Sequence, residues 1–378
     1  MKQLVLFLYF LMLFPAFSLV QSLLGIYVQN RILWLPCGLI LLCYAPYNKL
    51  RSFHKPIIFL SLFFLLYCFL AIVHHWNFLL YCGYFLTFLL LLTSLNVVYC
   101  QKRLFLSFFK WFLILNAIYI VYQIICCNLG LQGLAMIQSN LPAQKNAGYM
   151  IPTFLTSFLF RYTGLFNESS PLAFYLCISF CFFTCLGRPF LKYRNLSLLL
   201  LVFSGSKFAY LFLLCYLTFF LKNKFVKIIA LSALAVVVYL VLTDLSFLIE
   251  MTNGEMASVG ARMKGVEGIG DTALTNWGSG LATSSDGEVE LNMFSILLGG
   301  FGRYGMVIIL LMILLFYRTI QFEQKSLFIL PFVIGILSNG SLLIVQYGLL
   351  AYCLIFFHHL NPTNLYASHN FHHHAMLQ

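Results

Sequence analysis

Apolar residues fall in long blocks along this chain, separated by short polar stretches. Blocks at 3–20, 32–47, 56–73, 78–100, 104–127, 170–187, 225–249 and 293–317 each approach the roughly 20 residues that carry a helix across a bilayer. Two others, 196–221 and 326–357, are interrupted by small polar residues, at Ser204-Gly205-Ser206-Lys207 and at Ser338-Asn339-Gly340-Ser341. The pattern predicts an all-α fold, a polytopic transmembrane helix bundle forming a single integral membrane domain over residues 1–378. Residues 1–20 suit either a cleaved signal or a first spanning helix; the spans behind them favour the helix.

The predicted topology follows from the cations, because Lys and Arg accumulate in cytoplasmic loops. With the N-terminus in the cytoplasm, Lys49, Arg51 and Lys55, then Lys102 and Arg103, then Arg188, Lys192 and Arg194 all fall inside. Block 196–221 decides the rest. As one span it would push Lys222, Lys224 and Lys227 outside and bring the acidic stretch 250–290 inside. As two short segments meeting at Ser204-Gly205-Ser206-Lys207, it returns all three lysines to the inner side. Broken segments are tolerated where protein or a wet cavity covers the backbone. Splitting 326–357 in the same way predicts about 12 membrane segments, two pairs of them short or broken, with both termini cytoplasmic. Two large periplasmic loops result, 128–169 and 250–290. Arg31, Lys145, Arg161, Lys207, Arg262 and Lys264 then lie outside, Lys110 and Arg303 at membrane depth, and Glu323 alone of the acidic residues inside.

Composition bears on the choice of solvent. Hydrophobic residues make up 62% of the chain and charged residues 8%, with mean hydropathy +0.94, whereas a soluble domain carries about 25% charged residues. A water-soluble body of this size would leave too much Leu and Phe on its surface. The formal charge of +12 comes from clusters between apolar runs, so it does not point to nucleic acid. Nearly all of the twelve cysteines sit inside apolar blocks, where they serve as small packing residues. No Walker A loop, H-E-x-x-H or dinucleotide fingerprint is present.

The remaining polar residues gather in a few places. Loop 128–169 ends Arg161-Tyr162-Thr163-Gly164-Leu165-Phe166-Asn167-Glu168-Ser169-Ser170-Pro171, just before an apolar helix. Asn167 or Ser169 would cap that helix with Pro171 in its first turn, the simpler account on spacing alone. Loop 250–290 carries Arg262, Lys264 and most of the acidic residues, Glu290 among them. It is either a solvated linker or part of a site, since loops beyond about 12–15 residues are often functional. Asn292 and Gly299-Gly300-Phe301-Gly302-Arg303-Tyr304-Gly305 follow. Arg303 would lie about 16 Å into a helix starting at Asn292. At that depth a guanidinium faces the bundle or a wet cavity, as an ion-pair partner or as a working group. Lys110 is close enough to its helix end to snorkel to the inner interface. His74 and His75, beside Trp76, suit an outer interfacial anchor, and His372, His373 and His374 an inner tail.

Taken together, three of these stretches resemble the O-antigen polymerase and ligase superfamily (Wzy-type polymerases). The first is Arg161-x-x-Gly164-x-Phe166-x-Glu168 before a helix. The second is Ser204-Gly205-Ser206-Lys207, and the third runs from Gly278-Ser279-Gly280 through Asn292 to Gly302-Arg303-Tyr304-Gly305. The likeness covers roughly residues 155–310 and rests on the order of all three within a bundle with two large outer loops. Two departures stand out. Lys207 occupies a position where the family more often has Arg, and Leu291 stands where ligases carry His, which favours polymerase over ligase.

The resemblance implies a reaction at the periplasmic face of a bacterial inner membrane. An undecaprenyl-diphosphate-linked glycan donor is transferred as a block onto a second lipid-linked repeat, the acceptor, and the lipid diphosphate leaves. A chain-length regulator is the implied protein partner; no nucleotide sugar, nucleic acid or obligatory cofactor is implied. Physical grounds then distribute roles. Cleaving the anomeric C–O bond puts negative charge on the diphosphate, and a guanidinium grips phosphate oxygens bidentately while staying charged. Arg161 and Arg262 are the first choices, supported by Lys207, Arg303, Lys264 and Asn292 as substrate-binding groups. Glu168 or Glu290 would take the acceptor hydroxyl's proton. The acidic residues of the second loop must face away from the diphosphate or hold a divalent cation. A lipid-linked-oligosaccharide flippase also fits a bundle with broken helices, although no repeat relates the two halves, and an O-antigen ligase is the third reading.

Overall fold

The computed structural model describes residues 62, 65–75, 78, 82, 101–131, 162–166, 169–220, 223–243, 326–338 and 353. Every regular element among them is helical, with no strand. The predicted spans 3–20, 32–47 and 293–317 and the loop 250–290 lie outside the described residues.

Helix α1, Lys102–Asn128, runs 27 residues, about 40 Å at 1.5 Å per residue. It contains neither Gly nor Pro, so nothing interrupts its hydrogen-bond ladder. Gly130 ends it. With φ at +71°, Gly130 turns the chain so that the Leu131 N–H donates to Cys126 O at 2.8 Å and the Gly130 N–H to Cys127 O at 3.1 Å. These paired bonds satisfy carbonyls the last turn would otherwise leave open. Helix α2, Ser169–Leu186, stops at Gly187, and the 3-10 turn Arg188–Phe190 leads into α3, Leu191–Phe203. After Ser204-Gly205-Ser206 come α4, Lys207–Phe220, and α5, Lys224–Thr243. Asn223 caps α5, its side-chain oxygen accepting from the Phe225 N–H at 3.0 Å. Helix α6, Ser326–Ser338, packs against α2 and α4, and the Cys181 thiol donates to Leu327 O at 3.6 Å.

Aromatic contacts set the directions of the helices. Phe105 meets Phe182 at 6.1 Å between ring centroids and Phe112 meets Tyr175 at 5.0 Å, so α1 and α2 run antiparallel. Phe174 meets Phe208 at 5.6 Å and Phe180 meets Tyr216 at 4.9 Å, so α4 runs parallel to α2. The Tyr210 hydroxyl donates to Val202 O at 3.5 Å and Arg194 is within electrostatic reach of Tyr216. Helices α3 and α4 are therefore a hairpin whose tip is Ser204-Gly205-Ser206. The break read from the sequence is a reversal of direction. It brings Lys224 and Lys227, beyond α4, to the end of the bundle that already holds Arg188, Lys192 and Arg194.

Helix α2 is buried on nearly every side, as a central helix must be if it is apolar all round. On α1 the usual arrangement is inverted. Asn116 and Gln123 are 0% exposed, while Ile118 is 61% exposed within an outer stripe of Trp111, Leu115, Tyr122 and Ile125. Polar groups turned inward and apolar groups outward suit an apolar solvent, where carboxamides find partners only inside the bundle. Both α1 and α2 are long and apolar enough to cross a membrane.

Candidate functional site

Of the residues singled out from the sequence, Lys207 is described and is half-buried in the first turn of α4. Arg161, Glu168, Arg262, Lys264, Glu290, Asn292 and Arg303 lie outside the described residues. The structure does describe the heart of the first motif, Tyr162-Thr163-Gly164-Leu165-Phe166, and it describes the second motif in full.

The strip 162–166 has no regular structure, yet it is buried. A buried irregular backbone must find partners for its N–H groups, and two side chains of α1 supply them. Gln123 donates from Nε2 to Thr163 Oγ1 and accepts from the Gly164 N–H at Oε1, both at 3.0 Å. Asn116 accepts from the Leu165 N–H at 3.1 Å while donating to Phe112 O at 2.9 Å. The Phe166 N–H closes a turn onto Thr163 O at 3.1 Å. Phe166 itself is wedged between Phe112 and Tyr175, at 5.9 and 5.6 Å. Gly164 is required twice over. Its φ of +57° suits glycine, and an added Cβ would stand 2.7 Å from the Asn116 side-chain oxygen.

The antiparallel register pairs Phe112 with Tyr175, so Ser169 comes level with about residue 118 of α1. Helix α1 then continues for about ten more residues, roughly 15 Å, past the start of α2. The strip rests on that overhang. The α3–α4 tip reaches the same level, because Phe208 packs on Phe174 in the second turn of α2. The two motifs, separated by some forty residues of sequence, thus share one end of the bundle.

The chemistry of this end is cationic and donor-rich. Parallel helices α2 and α4 both present N-termini here, where the helix dipole favours anions, and Lys207 adds a full charge. Ser204 and Ser206 are buried at 0% and 1% exposure. The Ser204 hydroxyl donates to Leu201 O at 2.7 Å. The Ser206 hydroxyl finds no hydrogen-bond partner among the described residues. Gly205, with φ at +59°, makes the tight reversal that places both serines. No group of three His, Cys, Asp or Glu among the described residues could hold a metal ion.

Asn116 and Gln123 did not stand out in the sequence as site residues. Their signal is spacing: two carboxamides seven apart in an otherwise apolar span lie on one helix face. The cap expected from Asn167 or Ser169 lies partly outside the described residues, and Ser169 is the first residue of α2, with Pro171 in its first turn.

Compared with family models, curated proteins and solved structures, the chain matches none.

Proposed function

We propose that this chain is a polytopic enzyme of the bacterial inner membrane. It joins undecaprenyl-diphosphate-linked repeat units into polysaccharide at the periplasmic face. The observation that carries the reading is that the Gly164–Phe166 strip and the Ser204–Lys207 tip lie at the same end of the bundle, the end of two helix N-termini. That end, opposite the one holding Arg188, Lys192 and Arg194, is the outer one in the positive-inside orientation. An end with two helix N-termini, two serines and Lys207 suits a departing lipid diphosphate.

In this reading Arg161, which directly precedes the strip, and Arg262 neutralise the diphosphate; Lys207, Lys264, Asn292 and Arg303 hold the substrate. Glu168, directly before α2, or Glu290 accepts the proton of the attacking hydroxyl. The proton leaves the acceptor oxygen as that oxygen bonds the anomeric carbon, and the electron pair of the broken C–O bond departs with the lipid diphosphate. Fixed donors in a water-poor site are each worth about 2.7–4 kcal/mol to such a step. Asn116 and Gln123 position the strip and touch no substrate. The full topology in this reading is twelve segments with both termini cytoplasmic.

The test is a glycan ladder on a silver-stained gel from a deletion strain and its complement. Loss of a polymerase leaves lipid A–core capped with a single repeat, loss of a flippase leaves no repeat, and loss of a ligase leaves polymer off the core. Arg161→Ala and Arg262→Ala should each abolish the ladder while the protein still inserts. Wild-type ladders from both would remove the diphosphate role.

A further inference from the structure

The end of the bundle opposite the candidate site holds a second cationic feature that the transfer reaction does not use. Lys110 lies eight residues into α1, about 12 Å from its start, and is only half-exposed. Its ammonium stands 4.8 Å from the centroid of the Phe190 ring and 5.4 Å from that of Tyr193. Lys192, in the first turn of α3, brings its own ammonium to 5.1 Å from the same Tyr193 ring. Two like charges therefore converge on one aromatic side chain. Neither ammonium has a hydrogen bond or an ion pair among the described residues, and those residues include no Asp or Glu at all. Ring faces offset part of the cost of each cation, but they do nothing for the repulsion between the two. An anion within reach of both would.

What lies beyond the pair identifies the anion's carrier. Helices α1 and α3 are in contact and both run away from this end. On α3 the face that starts with Lys192 continues with Leu199 and Phe203, seven and eleven residues on, both exposed; on α1 the face of Lys110 continues to exposed Val121. Helix α3 thus shows a cation at one end with exposed apolar residues along the same face, and α1 shows half-buried Ile114 and Ala117 leading from Lys110 to exposed Val121. A free phosphate has no use for such apolar faces. A phospholipid matches both parts.

We infer that Lys110, Lys192 and the rings of Phe190 and Tyr193 form a binding site for the phosphate headgroup of an anionic phospholipid of the inner leaflet, with its acyl chains along these faces of α1 and α3. This inference rests on the chain lying in a bilayer and does not depend on the glycan-transfer reading.

The experiment uses the full-length protein in nanodiscs, with labelled phosphatidylglycerol as probe, phosphatidylethanolamine as the zwitterionic comparison and inorganic phosphate as competitor. Juxtamembrane cations are worth about 1 kcal/mol each toward anionic lipid. Retention should therefore fall about fivefold in Lys192→Gln and roughly thirtyfold in Lys110→Gln/Lys192→Gln, while Lys224→Gln, on the same end but away from Tyr193, stays within about twofold. Should the double variant fail to fold, Lys192→Gln carries the test, because that side chain is exposed. Retention unchanged in Lys192→Gln, equal retention of the zwitterionic lipid, or displacement by millimolar inorganic phosphate would each overturn the proposal.

Discussion

Gly164 and Gly130 both hold positive φ, at +57° and +71°, yet substituting them should have unequal effects. A Cβ on Gly130 meets nothing within 4 Å, whereas one on Gly164 meets the Asn116 oxygen at 2.7 Å and Leu172 at 3.3 Å. Gly130→Ala should therefore cost only the left-handed backbone penalty, about 1–2 kcal/mol. Gly164→Ala adds a clash with a side chain that is itself hydrogen-bonded on both sides, and should cost about 1–3 kcal/mol more. Thermal unfolding of the two purified variants in one detergent measures the difference. Equal shifts would mean that the Asn116 contact is not as tight as described. The same logic explains why the Arg161–Pro171 motif was legible only in part. Its glycine was visible as a turn residue, but the partner that makes it irreplaceable sits 48 positions earlier, inside an apolar span.

At the scale of elements, the α3–α4 hairpin matters most. Two helices of 13 and 14 residues, each about 20 Å long, fall short of the about 30 Å hydrocarbon core. Their tip therefore lies within the length of α1, packed against α2 through Phe208 and Phe174. Charge bias already favoured a split at Ser204-Gly205-Ser206-Lys207, because a straight passage would strand three lysines on the wrong side. Helix packing supplies the independent reason: the Tyr210 hydroxyl returns to Val202 O, and α4 packs parallel to α2 through Phe208–Phe174 and Tyr216–Phe180. Reporter fusions truncated after Arg188 and after Lys224 should accordingly report the same, cytoplasmic side. Opposite sides would mean that α3 and α4 continue in one direction, contrary to these contacts.

At the scale of the whole molecule, the solvent decides which faces of α1 are which. Ile118 is 61% exposed near the middle of that helix. If water bathed it, Ile118→Lys would shift stability by no more than about 0.5 kcal/mol. In lipid the same change should cost about 2.5–3.5 kcal/mol. The fraction of Ile118→Lys resistant to alkaline extraction from membranes, set against Ile118→Leu, distinguishes the two, and an unchanged fraction would argue against a lipid-facing α1.

The helical class, the positions of α1 and α2 to within a residue or two, and the break ahead of Lys207 were all readable from the residues alone. Apolar run length, Gly and Pro, and the placement of cations are local quantities, and in lipid each helix must satisfy its own backbone. Tertiary structure alone decided how that reversal packs against α2, that Asn116 and Gln123 clamp an irregular strip forty or more residues away, and that two distant motifs share one end of the bundle. Those outcomes depend on which side chains meet across helices. Spacing along a chain does not encode that choice, because in a membrane nearly every apolar face can pack against any other.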